Sequence, residues 1–307
     1  MSGAPTIFDR ALIRARQDRA RRLGPATFLL ERVAQELADR LSVVVRHFDV
    51  AVDLGTPAGH VRRALANNPA VGRLIAASPA VEGASLAVIA NEEALPFAQS
   101  SLDLVVSALA LQTVNDLPGT LVQIRRALRP DGLLLAALLG GDTLGELRQS
   151  FATAEAEIEG GASPRVAPFA DVREIGALLQ RAGLAIPVTD LDRVTVRYSS
   201  VFDLMRDLRR MGATSALIER RRTPLRRATL LRMAEIYQRS FSDPDGKLRA
   251  TFDIIWLSGW APHASQQQPL RPGSARARLA DALGVSEQPA DEKAGHCRPF
   301  SYLPTAA

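Results

Sequence analysis

The stretch Val50-Ala51-Val52-Asp53-Leu54-Gly55-Thr56-Pro57-Ala58-Gly59-His60 decides how the rest of the chain is read. An apolar run of strand length ends in Asp-Leu-Gly, and a second glycine and a helix-forming segment follow. In open α/β sheets a strand that feeds a glycine-bearing turn and then a helix puts that turn at the ligand-binding edge. Pro57 is the awkward residue. It removes a backbone N–H and fixes φ near −65° inside the turn.

Outward from this unit the same texture repeats. A helix is expected from His60 to Asn67. Short apolar runs recur at Gly72–Ala77, Leu86–Ala90 and Leu102–Ala108, and a second helix is expected over Leu117–Leu128. Arg129-Pro130-Asp131-Gly132 signals a turn, and the Leu-rich run to Leu139 reads as a fifth strand. Strands that are apolar throughout and alternate with helices predict a parallel sheet covered on both faces. Past residue 140 helices are expected at Asp142–Glu159 and Asp171–Ala182, with Gly183 placed to end the second. Val188–Tyr198 and Thr251–Trp260 read as strands, and Ser200–Phe241 as a helical insertion interrupted near Gly212 and Thr223-Pro224. The expected organisation is a helical cap over 1–46, a core over 47–140, the rest of the sheet with its insertion over 141–260, and a flexible Pro/Gln/Ala-rich tail over 261–307.

Composition excludes several classes. The chain has 307 residues, is 47% hydrophobic and 23% charged, and carries a formal charge of +5. No apolar run approaches the roughly 18 residues of a membrane span. The first 22 residues lack the apolar core of a secretory signal. They are amphipathic and Arg-rich, with Asp9 and Asp18, and read as a helix of the mature protein. The expected location is therefore not extracellular, but the cytoplasm of a bacterium or, for a eukaryotic source, the mitochondrial matrix. Cys297 is the one cysteine, so an intrachain disulfide and a cysteine metal site are excluded. His47, His60, His263 and His296 share no ligand spacing, and no metal is expected. Lys247 and Lys293 are the only lysines. The Arg-rich insertion, with Arg206, Arg209, Arg210 and Glu219-Arg220-Arg221-Arg222, has three readings: a solvated face, a docking surface for an acidic partner, or a helix at a membrane surface. No aromatic platform accompanies these arginines, and nucleic-acid binding is not expected. A nicotinamide site needs Gly-x-Gly-x-x-Gly with a later acid, and a P-loop needs Gly-Lys-Ser/Thr. The chain has neither.

Several strings carry a family likeness: Phe8-Asp9-Arg10, Asp53-Leu54-Gly55, Glu92-Glu93-Ala94-Leu95-Pro96-Phe97, Val114-Asn115-Asp116-Leu117-Pro118 and Leu128-Arg129-Pro130-Asp131-Gly132. Further ones are Gly140-Gly141-Asp142-Thr143-Leu144-Gly145-Glu146-Leu147-Arg148, Ser163-Pro164-Arg165-Val166-Ala167-Pro168-Phe169, and Gly259-Trp260 with His263 and Pro272-Gly273-Ser274-Ala275. In this order and spacing they make the chain resemble the class I S-adenosylmethionine-dependent methyltransferase superfamily. Within it, the likeness is to the branch of the mitochondrial respiratory complex I assembly factor of arginine-hydroxylase type and its bacterial relatives.

The resemblance implies a Rossmann-like α/β fold, with a seven-stranded sheet, an N-terminal helical cap and a helical insertion. It implies S-adenosylmethionine over the first two loops, with Asp53 near the amine and Gly55 and Gly59 allowing close backbone approach. Ala77 and Ser78 stand where a ribose-binding acid is usual, and Asn91 with Glu92 stands at the adenine. Gln112, Asn115 and Asp142 fall on the substrate side. No catalytic residue is nominated. Pro57 takes the place of the family's middle glycine, the acid is missing at Ala77-Ser78, Asn91 replaces an Asp, and Gln112-Thr113 replaces an aromatic or His-Trp pair. Losing two hydrogen bonds to a charged group costs on the order of 3–6 kcal/mol, several decades in affinity. Two functions follow as expectations. One is an enzyme that modifies a protein substrate in complex I assembly through a divergent cofactor loop. The other is a catalytically degenerate assembly or binding factor on the same scaffold.

Overall fold

A computed structural model of the chain describes residues 6–79 and 86–267. Met1–Ala264 forms one compact unit and Ser265–Ala307 a second. Every described helix and strand belongs to the first. Most of the predicted tail, with His296 and Cys297, lies outside the described residues.

Two helices open the chain, α1 (Arg10–Arg22) and α2 (Phe28–Ser42). Asp9 caps α1 by accepting from the Leu12 N–H at 2.9 Å, which satisfies one of the helix's orphan donors. The apolar face of α2 (Leu29, Val33, Leu37, Leu41) is buried against the sheet. The sheet strands are β1 (Phe48–Leu54), β2 (Val71–Ser78), β3 (Ala87–Ile89), β4 (Leu102–Ala108), β5 (Leu128–Gly140), β6 (Ala185–Tyr198) and β7 (Leu248–Trp260). Between them lie α3 (His60–Leu65), α4 (Leu117–Ala127), α5 (Gly145–Glu159), α6 (Val172–Arg181), α7 (Val201–Arg210) and α8 (Arg227–Phe241).

The strand order is β3-β2-β1-β4-β5-β7-β6. The first five strands run parallel, and β7 is antiparallel to both β5 and β6. Alternation along β5 shows why the sheet is covered twice. Leu133, Leu135 and Ala137 join the core beneath α2, α5, α7 and α8, while Leu134, Ala136 and Leu138 pack with α4 and α6. Both sets are buried, so the sequence reads as an unbroken apolar run. The seven-stranded sheet with helices on both faces is the architecture the resemblance implies.

Local departures from the sequence reading have physical causes. The Arg129–Gly132 turn does not precede the strand but bulges within it. Leu102 pairs with Leu128 and Leu104 with Leu133, with Asp131 at φ 66° in between. Asp131 N–H donates to the Ala261 carbonyl and Ala261 N–H to Gly132, which pins the bulge to the end of β7. Helix α5 starts three residues later than expected, because Thr143 turns its hydroxyl onto the Gly140 carbonyl and Leu144 is left-handed. The insertion, by contrast, follows the sequence reading: its two helices are separated by a segment that contains Gly212 and Thr223-Pro224. Gly212, at φ 72°, ends α7, and the chain then crosses to pair Leu217 with Phe8 beside Ile13. The apolar residues of α7 (Val201, Leu204, Leu208) are buried in the core. Many of the insertion's arginines are neutralised within the chain, as in Arg206–Asp203 at 2.8 Å, Arg232–Glu157 at 2.6 Å and the Arg221–Glu159 pair.

Candidate functional site

The strand order reverses between β1 and β4. Their carboxyl ends, Leu54-Gly55 and Ala108-Leu109, therefore open a crevice of the kind where α/β sheets bind ligands. A cavity of about 600 Å³ lies there. Gly55, Thr56, Pro57 and His60 form its floor, and Ser78, Glu92, Leu109, Ala110, Gln112 and Thr113 its sides. Phe8, Arg10 and Ile13 close it from the N-terminal helix, and Leu147, Phe151, Met205, Leu208 and Phe252 extend it between α5 and α7.

The first loop is held from below. Gly55 N–H donates to the Ala77 carbonyl at 2.8 Å, Ser107 donates its hydroxyl to the Leu54 carbonyl at 2.7 Å, and Ala108 N–H donates to the Thr56 hydroxyl at 3.0 Å. Gly55, Ala58 and Gly59 take left-handed φ values of 72°, 55° and 65°. Pro57 is not among them. It opens a short 3-10 turn, Pro57–Gly59, where its fixed φ is suitable and its missing N–H would have had no partner. The positive φ that a glycine motif would supply falls on the next residue, Ala58.

Asp53 is 3% exposed and does not line the cavity. Burial pushes its carboxyl up to about 7, against the opposing pull of the Thr56 hydroxyl and the Arg62 charge. Its Oδ1 has no hydrogen-bond partner. Glu92 is the buried carboxylate that lines the cavity, only 4% exposed. It lies so close over Gly55 that a Cβ there would come 2.6 Å from Oε1. Glu92 Oε2 is paired with the Arg10 guanidinium, which also donates to the Thr113 carbonyl at 3.2 Å and hydroxyl at 3.3 Å.

The remaining sequence-predicted residues divide into two groups. Ser78 and Gln112 line the cavity with Gly55 and Glu92. Gln112 donates to the Leu109 carbonyl at 2.7 Å and keeps a buried Oε1 without a partner. Ala77 is fully buried behind the wall, and Gly59 lies under the Arg62 side chain. Asn91 is exposed and accepts from the Glu93 N–H at 3.2 Å. Asn115 fastens the N-terminus: its Oδ1 accepts from the Ile7 and Phe8 N–H groups at 2.8 and 2.7 Å, and its amide donates to the Phe8 carbonyl at 3.3 Å. Asp142 is exposed on the rim of a separate network, accepting from Arg193 at 3.2 Å. Arg193 also grips the buried Asp253 at 2.7 and 2.8 Å. Burial favours the protonated form of Asp253, but Arg193 and the Asp142 N–H outweigh it and hold the carboxyl below its ordinary range.

The model of the methyltransferase domain family matches residues 52–136, the span from β1 through most of β5. Over 300 residues the chain is 37% identical to the arginine-hydroxylase NDUFAF5, mitochondrial, of Danio rerio, covering 93% of this chain and 92% of that protein. The chain belongs to this family. It is also 38% identical over 221 residues to a malonyl-[acyl-carrier protein] O-methyltransferase of Laribacter hongkongensis, covering 72% of this chain and 66% of the relative. A Bacillus halodurans crystal structure assigned to the methyltransferases superposes with a TM-score of 0.51 at 15% identity, covering 75% of this chain and 99% of its own. That likeness shows the methyltransferase fold. Family membership thus places the crevice between β1 and β4 within a known architecture.

Sequence reasoning missed Arg10, Thr56 and His60 as lining residues. A signal for Arg10 exists, because Phe8-Asp9-Arg10 is one of the family strings. Nothing in its spacing, however, says that α1 folds back over a loop 45 residues away. Among the described residues no cluster of His, Cys, Asp or Glu is arranged to hold a metal ion. None of the described helices is long and apolar enough to cross a membrane.

Proposed function

We propose that this chain is an S-adenosylmethionine-binding enzyme that modifies a protein substrate. The observation that carries the reading is the cavity at the β1/β4 switch point, with Gly55, Ser78, Glu92 and Gln112 on its walls. The residues fit such a ligand in kind. Gly55, at positive φ and without a Cβ, lets the Glu92 carboxylate close over the loop at the cavity's edge. Gln112 Oε1 is a buried acceptor with its hydrogen bond unmade, which a polar ligand would relieve. Ser78 offers a hydroxyl at the end of β2, and Glu92 offers charge. The cofactor would supply an activated carbon bound to a sulfonium. The chain's own part is to fix its position and exclude water, since proximity dominates group transfer of this type. The Danio relative is named an arginine-hydroxylase, which in this reading points to an arginine side chain as the modified group. Hydroxylating it would take oxygen and oxidising power from a co-reactant such as dioxygen rather than from the sulfonium, and the location would be mitochondrial if the source is eukaryotic.

A second reading, a binding factor without turnover, is favoured by one observation. The carboxyl end of β2 presents Ser78 beside the buried Ala77, a single hydroxyl where two ribose oxygens would seek acceptors. Thermal unfolding with and without S-adenosylmethionine and S-adenosylhomocysteine separates the two. Ligand at a hundredfold excess over its Kd stabilises by about 2.7 kcal/mol, so the expected result is a clear upward shift in Tm. An unchanged Tm at millimolar ligand sinks the enzyme reading and leaves the second.

A further inference from the structure

Glu92 and Arg10 put one anion and one cation side by side on the cavity wall, with the Glu92 side chain packed over Gly55. Glu92 is almost wholly buried, so its charge is directed at the cavity and at Arg10 rather than at bulk water. Arg10 is no loose surface side chain. It is the first residue of α1, and the segment before it is tied down by Asn115 and by the Asp9 N–H donating to the Ala216 carbonyl at 2.9 Å. Its guanidinium has five N–H donors, and its described partners are Glu92 and Thr113. The pair is thus a preorganised dipole whose orientation is set by backbone anchors on both sides.

We infer that the Arg10–Glu92 pair is a clamp for the zwitterionic head of an α-amino acid, the ammonium against Glu92 and the carboxylate against Arg10. This rests on the cofactor reading above, since S-adenosylmethionine ends in such a head. A free amino acid has the same chemistry. Asp53, the acid expected at the amine, is sealed beneath the loop and keeps its proton toward neutral pH, so it is a poor anchor for a cation. Glu92 reaches the same loop from the far side of the crevice and is ion-paired. The clamp also assigns a purpose to the fold-back of α1: it brings to the cavity a cation that the β1 loop does not carry.

The test is calorimetric titration of the full chain with S-adenosylhomocysteine, with 5′-methylthioadenosine, which has the nucleoside but no amino-acid head, and with free L-methionine. Arg10→Met should weaken S-adenosylhomocysteine by about tenfold to a hundredfold, the loss of a hydrogen bond to a charged group. It should leave 5′-methylthioadenosine unchanged, which also shows that the variant is folded. Arg10→Lys keeps the charge without the fork and should fall in between; if the Met variant does not fold, a loss in the Lys variant confined to the homocysteine ligand supports the clamp equally. Equal weakening of both nucleosides, or of neither, overturns the clamp while the cofactor reading survives. Binding of free methionine alone, lost in Arg10→Met, keeps the clamp and removes the cofactor. If wild type binds none of the three, both fall.

Discussion

Asp53 shows how far one residue's chemistry can depart from what its position suggests. In sequence it is the acid at the end of the first strand; in the fold it is a buried carboxyl with an unpartnered oxygen. Its folded pKa is raised from 3.8 to about 7, and the sign of the stability effect follows. Below about pH 4 both folded and unfolded chains hold the proton, and Asp53 contributes nothing. Between about pH 4 and 7 the unfolded chain releases it while the folded chain keeps it, so stability falls as pH rises and levels off above 7. Asp53→Asn removes this dependence. In urea unfolding the variant should gain on wild type between pH 4.5 and 7.5 by on the order of 2–4 kcal/mol, the free energy of a shift of this size. A difference between variant and wild type that stays the same at both pH values would show that Asp53 is ionised in the folded protein.

At the scale of elements, the sequence is most readable where one rule acts alone. The parallel strands β1, β4 and β5 are continuous apolar runs, and each lies close to where those runs place it. Boundaries slip where a side chain or a distant strand intervenes, as at the Asp131 bulge pinned by Ala261 and the Thr143 turn before α5. The site is half readable. Gly55, Ser78, Glu92 and Gln112 follow strand ends and can be placed by topology, whereas Arg10 and Asn115 act through tertiary contacts that no local pattern encodes. Helix α5 offers a second such contact. Glu155 is completely buried on it, and the break at Gly160–Pro164 returns the chain so that Ser163 and Arg165 reach its carboxylate at 2.7 and 2.8 Å. Burial alone would raise the Glu155 pKa, but the Ser163 and Arg165 contacts outweigh it and hold the group ionised. Arg165→Met strands that charge in the core and should cost about 3–5 kcal/mol in chemical denaturation. Adding Glu155→Gln should return a good part of the loss. A double variant no more stable than the single one would mean that Arg165 acts through its stacking over Phe151 instead.

For the whole molecule, the cavity is a meeting place of segments distant in sequence: α1, the loop after β1, Glu92 after β3, the turn after β4, and α5 with α7. The parallel half of the sheet supplies the loops, and the two terminal additions to it supply the roof. That roof is held by local contacts: Asn115 to Ile7 and Phe8, Ile218 N–H to the Ile7 carbonyl and Asp9 N–H to the Ala216 carbonyl at 2.9 Å each, Arg16 to the Thr214 carbonyl at 2.6 Å, and Arg10 to Glu92 and Thr113. A segment fastened in this way can open locally at far less than the global unfolding free energy. A ligand seated under it adds its own contacts to the closed state and shifts that local equilibrium toward closure. Hydrogen exchange with and without saturating S-adenosylhomocysteine should therefore show added protection in two separate stretches, the loop around Gly55 and the helix Arg10–Arg22. Amides of α4, which packs on the opposite face of the sheet, should change little. Protection confined to the Gly55 loop would show that α1 is a fixed wall whose closure owes nothing to the ligand. Protection of α1 that disappears in Arg10→Met would tie the closure to the ion pair that joins the roof to the floor.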